Sequence, residues 1–224
     1  MRHVYLRGLF LVSTPLVLAV VLWWHPAGGD EIYEGVRHDV GAWLFVHTAM
    51  LLLIPFLGLA VFLLLRGLEG LAASVSRIAL VFFLVFYTAY EVTVGVGTGL
   101  LVDYANGLPG ADQAVVADAI QDYNENAIVG DPASFSLILG FFGWVVAMLA
   151  AAVAFRRAGA GWAVTLLLGA SAIFAVHPPP IGPAGLVCLA AAAALIVRRQ
   201  ARDARALAAP PATAGLAPSA YPGA

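Results

Sequence analysis

The 25-residue stretch from Ile78 to Val102 is largely apolar and contains a single charge, Glu91. A carboxylate at membrane depth is costly, so it normally faces protein or a water-filled cavity and is the first place to look for chemistry. A glutamate there can titrate, ligate a cation or act as a general base. Tyr87 precedes it by four residues and shares its helical face, Thr98 continues that face seven residues on, and Tyr90 adjoins it.

Helical rise brings two histidines to a similar depth. At about 1.5 Å per residue, Glu91 stands roughly 21 Å along its helix from Arg77, His177 about 22 Å from Trp162, and His47 about 28 Å from Arg66. His47, Tyr87, Tyr90, Glu91, Thr98 and His177 therefore define a candidate polar pocket in the outer half of the membrane. His47, Glu91 and His177 are its candidate metal ligands.

Each of these residues also has a plainer account. His177 ends a helix, where an imidazole pairs with terminal carbonyls. His47 lies near Trp43 in the interfacial band and can snorkel. Glu91 can be protonated and bonded to Tyr90 or a backbone carbonyl as structural glue. His25 and His38, in the first outer loop, read as solvated histidines at the water interface. Asp122-Tyr123-Asn124-Glu125-Asn126 opens like an EF-hand loop, but Ala127 stands where the turn glycine belongs and Ala133 where the bidentate glutamate belongs.

The elements that must position these groups are membrane helices. Of 224 residues, 62% are hydrophobic and 11% charged, against about a quarter charged in a soluble domain. The expected fold is all-α, a polytopic integral membrane bundle of six transmembrane helices at about 5–24, 43–65, 78–102, 135–155, 158–177 and 181–197. Residues 1–205 form this one domain. The loop 103–133 holds a short amphipathic helix, with Val115, Val116, Ala119, Ile120 and Tyr123 opposite Asp118, Asp122 and Glu125. It either lies on the membrane surface or caps the bundle. Residues 206–224, rich in Ala and Pro, are expected to be a disordered cytoplasmic tail.

Arginine sets the expected orientation. All 11 basic residues are Arg, and with the N-terminus inside, only Arg37 falls outside. Both termini are then cytoplasmic. Complete replacement of Lys by Arg suits a GC-rich bacterial genome, and hence a bacterial plasma membrane.

Helix contact is expected through small residues. Gly95 and Gly99 form a small-xxx-small pair, and Ser136, Gly140 and Gly143 give the fourth span a small face to meet it.

Several chemistries are excluded. Without Lys there is no Schiff base and no P-loop. The single Cys188 has no partner, so disulfides and cysteine metal sites are out. There is no H-E-x-x-H, no histidine pair at the spacing of haem-binding bundles, and no motif that specifies a cofactor. The expected surroundings are the lipid bilayer and a protein partner or second copy docked on the glycine faces, with no nucleic acid. A non-catalytic membrane subunit ranks first among the functions. A small-molecule or proton-coupled carrier using Glu91 is one alternative, and a membrane-embedded metal or haem enzyme using His47, His177 and Glu91 is the other.

Overall fold

The structure is a computed structural model that describes residues 2–26, 28–128, 130 and 133–208. The described residues form eight helices and no strand. These are α1 (Arg2–Leu22), α2 (Ile32–Val36), α3 (Val40–Leu64), α4 (Leu71–Asn106), α5 (Gly110–Asn124), α6 (Phe135–Arg157), α7 (Trp162–Ala175) and α8 (Ile181–Ala208). Four of them, α3, α4, α6 and the Ile181–Ala206 part of α8, are long and apolar enough to cross a membrane. The apolar stretch Leu6–Leu22 of α1 and the whole of α7 are shorter.

The two largest departures from the expected spans, at the start of α4 and the end of α8, both involve arginines. α4 starts at Leu71 rather than Ile78, because Arg77 need not lie in a loop. Its guanidinium donates to the carbonyls of Leu65 and Leu68 at 2.8 and 2.7 Å, closing the end of α3. Arg7 donates to Leu63 O of the same turn at 2.6 Å. α8 runs past Val197 to Ala208. There Arg199 donates to Gly159 O at 2.6 Å and faces Asp203 one turn on. The expected tail 206–224 thus begins within α8, and residues 209–224 lie outside the described residues.

α4 is the central helix, and its two ends pack on different neighbours. At its first half, Gly140 and Gly143 of α6 admit the backbone of Tyr87 and Phe83, where a Cβ would come within 2.7 and 2.6 Å of their amide nitrogens. Ser76 donates to Ala147 O at 2.7 Å. Phe83, Trp144 and Phe174 form a buried aromatic knot, with Trp144 4.8 Å from Phe83 and 5.0 Å from Phe174. The Trp144 indole donates to Ser171 O at 2.9 Å, where α7 tightens into a 3₁₀ turn.

At its second half, α4 packs on α3 instead. Gly99 seats Trp43 and Leu44, and Gly95 seats the ring of His47. The expectation that Gly95 and Gly99 meet the fourth span is corrected here: they face the second apolar helix, and α6 touches α4 lower down.

Two π-helical turns, Phe83–Tyr87 and Glu91–Gly97, interrupt α4. Such wider turns are frequent at functional positions. Beyond them, α2 and α5 cover one end of the bundle. Tyr33 donates to Asn106 Oδ1 at 2.9 Å, Gln121 receives the Ile32 amide and donates to Asp30 O, each at 3.1 Å, and Tyr123 donates to Thr93 O at 3.1 Å. Ile120, Val36, Trp43 and Val102 are buried beneath this cap. Of the two placements open for the loop helix, the structure shows the cap.

Candidate metal centre

Three histidines from three separate elements meet under the cap. His47 projects from α3, His177 follows the end of α7, and His25 follows the end of α1. One ring nitrogen of each lies within 4.8 Å of one from each of the others. The His25 ring stands 4.9 Å from those of both His47 and His177, centroid to centroid, and 5.4 Å from Trp43.

The hydrogen bonds around the rings decide which nitrogens are free. A carbonyl only accepts, so the 2.8 Å contact between His47 Nδ1 and Trp43 O places the proton on Nδ1. Nε2 of a neutral ring then carries a lone pair. The same reasoning applies to His25, whose Nδ1 donates to Pro26 O at 2.7 Å. Burial holds the His25 imidazole below its ordinary range, against the smaller opposing pull of that carbonyl, and so toward the neutral form.

His177 is held at both nitrogens: Nδ1 meets the Tyr87 hydroxyl at 2.7 Å, and Nε2 lies 3.2 Å from His25 Nε2. With no cation present, one proton chain links two of the rings and leaves His47 Nε2 without a donor among the described residues. Tyr87 O–H donates to His177 Nδ1, and His177 Nε2–H donates to His25 Nε2. In the other tautomer His177 donates from Nδ1 to Tyr87, and three Nε2 lone pairs face one another. A hydrogen bond at the second nitrogen is what orients and tunes a metal-ligating imidazole.

Glu91 closes the fourth side. It is fully buried, and neither carboxylate oxygen has a hydrogen-bond partner among the described residues. Its Oε2 lies 3.8 Å from His47 Nε2 and its Oε1 3.9 Å from His177 Nδ1. These distances are too long for hydrogen bonds; the first is to a free ring nitrogen, close enough for an ion to sit between, and the second is to the nitrogen that meets Tyr87. Glu91 begins the second π turn, and the next residues of that turn anchor α3. Gly95 O accepts the Trp43 indole at 2.6 Å, and Gly95 has no Cβ to collide with the His47 ring.

Of the six residues of the expected pocket, His47, Tyr87, Glu91 and His177 are brought together. Tyr90 contributes a ring 6.4 Å from that of Tyr87. Thr98 points elsewhere, donating to Asn124 Oδ1 of the cap at 3.1 Å. Two plainer accounts are replaced by these contacts: His177 bonds Tyr87 rather than terminal carbonyls, and Glu91 bonds neither Tyr90 nor a backbone carbonyl.

The expectation that His25 is solvated is corrected: it is 9% exposed and sits at the centre of the cluster. His38 stays outside, accepting from the exposed Arg37 side chain. A signal for His25 was present in the sequence. His25-Pro26 and His177-Pro178 are two His-Pro pairs at the ends of apolar helices, and proline stops each helix with its histidine at the rim.

The fold and site together define a helical bundle of membrane type with a buried histidine–carboxylate cluster beneath a polar cap. Comparison with known protein families, curated proteins and solved structures gives no match.

Proposed function

We propose that this chain is a multi-pass membrane protein whose working part is a transition-metal centre held by His25, His47 and His177. The observation that carries the reading is the convergence of three imidazoles, two of them with Nδ1–H already committed to a carbonyl and Nε2 turned to a common point. Buried neutral imidazoles facing one another have little to offer each other, whereas a cation satisfies them all. The subunit reading, which ranks first from sequence alone, gives no account of this convergence.

The geometry favours a single ion over a bis-histidine haem. Two axial histidines would approach a porphyrin from opposite faces with its plane between them. Here His25 occupies the space between His47 and His177 that the macrocycle needs.

In the membrane the chain crosses six times with both termini in the cytoplasm, as the arginines direct. The cluster then lies in the outer half of a bacterial inner membrane. Single cysteines in a Cys188→Ala background test the topology: Asp118→Cys labels from outside and Arg66→Cys only from inside. The reverse pattern would invert the arrangement.

The function is tested by elemental analysis of the purified full chain and by zinc and cobalt titration. One ion per chain, lost in His25→Ala and His47→Ala variants that still fold, is the expected result. A protein that takes up no stoichiometric metal ion would refute the reading.

A further inference from the structure

We infer that Glu91 is the fourth metal ligand and the residue that selects a doubly charged ion, so that the centre is a three-imidazole, one-carboxylate site of the zinc class. The inference rests on the three-histidine centre proposed above and adds the identity of its fourth donor and of its ion.

Two observations point to Glu91. It is a fully buried carboxylate with no hydrogen-bond partner on either oxygen among the described residues. A buried polar group in that state calls for an explanation, commonly a water or an ion at the site. No arginine answers it, since Arg77 is fourteen residues away down the same helix and is occupied with Leu65 and Leu68. Its position supplies the second observation. Its Oε2 lies 3.8 Å from His47 Nε2, the nitrogen left free to ligate, while Oε1 lies 3.9 Å from His177 Nδ1, on the side of that ring held by Tyr87. Ligands around a four-coordinate zinc at ~2.0–2.2 Å stand a little over 3 Å apart. The His25–His177 nitrogen pair is at 3.2 Å already. The carboxylate is therefore within a side-chain adjustment of a closed tetrahedral shell.

The donor types narrow the ion. None of the converging donors is sulfur, which soft monovalent copper favours, and three imidazoles are more nitrogen than magnesium or calcium accepts. Imidazole with carboxylate suits zinc and its divalent neighbours. Charge sharpens the choice. Coulomb attraction scales with the product of the charges, so the carboxylate attracts a divalent ion twice as strongly as a monovalent one at equal distance. Burial keeps that difference from being screened by salt. Removing the charge should therefore reduce divalent affinity by about the square of the factor lost for a monovalent ion.

Tyr87 completes the arrangement as a positioning residue. For His177 to ligate through Nε2, its Nδ1 must donate, and the Tyr87 oxygen 2.7 Å away is the acceptor. The tyrosine holds the ligand tautomer without touching the metal.

The experiment is a competition titration of the full chain in detergent with Zn²⁺ and, separately, with Cu⁺, for wild type, Glu91→Gln and Glu91→Asp. Wild type should bind one Zn²⁺. Glu91→Gln should lose more than the ~10–100-fold typical of an altered outer-shell partner. Its Cu⁺ affinity should fall by only about the square root of that factor, and Glu91→Asp should recover part of the Zn²⁺ loss. If Glu91→Gln fails to fold, the metal-minus-apo infrared difference spectrum of wild type decides. A shifted glutamate carboxylate band supports ligation, and its absence overturns it. Equal Zn²⁺ affinity in wild type and Glu91→Gln overturns this inference and leaves the three-histidine centre standing. Absence of any metal binding in wild type removes the centre itself.

Discussion

The two halves of α4 are built to opposite rules. In the first half each buried polar side chain is answered: Ser76 by Ala147 O, and opposite it on α6 the Trp144 indole by Ser171 O. Close glycine contacts and a knot of aromatic rings fill that half, and the buried Arg7 Nε nearby belongs to a guanidinium already bonded to Leu63 O. In the second half the chain buries a carboxylate with nothing bonded to it among the described residues, beside three imidazoles drawn from three elements. Burying a polar group without a partner costs several kcal/mol in an apolar medium, about 2–7 depending on the reference. We read the first half as the frame and the second, left open, as the proposed ligand site.

The largest expected effect separates the two directly. Zinc in thousandfold excess over its dissociation constant should stabilise the folded protein by about 4 kcal/mol, and a chelator should remove the whole of that gain. Thermal unfolding in detergent with and without metal reads it; a transition indifferent to metal would mean that the two halves differ only in packing. Next comes the frame. Gly143→Val drives a side chain into the backbone of Phe83 and Ala79, which cannot yield, and should cost about 1–3 kcal/mol or more. Equal losses are expected with metal and with chelator, since the site is untouched.

Gly95→Ala reverses that pattern. Its new methyl meets the ring of His47, a side chain that can turn aside. The apo protein should lose less stability than in Gly143→Val, while zinc affinity falls about 10-fold or more because a ligand has been moved. A Gly95→Ala protein that binds zinc as wild type does would show that the His47 ring needs no such seat. The smallest effect is Ser76→Ala, which leaves Ala147 O without its side-chain donor. It should cost about 1 kcal/mol and leave metal affinity unchanged in the same titration.

The expected site was part right, and the reason lies in α4. On an unbroken α-helix Tyr87, Glu91 and Thr98 share a face. The π turn over Glu91–Gly97 fits more residues into its turn, so Thr98 comes round toward Asn124 of the cap instead of the pocket. The glycines are displaced by the same logic. Gly95 and Gly99 follow the helix round to α3, leaving Gly140 and Gly143 to pack against Phe83 and Tyr87 a full π turn earlier. His25 was misjudged for a different reason. A histidine after two exposed tryptophans and before a proline reads as a solvated loop residue, and only the fold-back of that loop over α3 brings its ring between two others.

What the sequence by itself determined is what can be counted along one helix: apolar runs long enough to cross a membrane, arginines at their ends, and the shared depth of Glu91, His47 and His177. These follow from rise per residue and from the cost of charge in lipid, which are local quantities. What only the tertiary structure decided is rotation and return. Which way each helix turns its face, where a π turn shifts the register, and which loop folds inward depend on packing between elements far apart in the chain. Glu91 could be placed at its depth by counting. That three imidazoles wait for it there, one of them from the loop after α1, is set by the contacts of α1, α3, α4 and α7 around a common point.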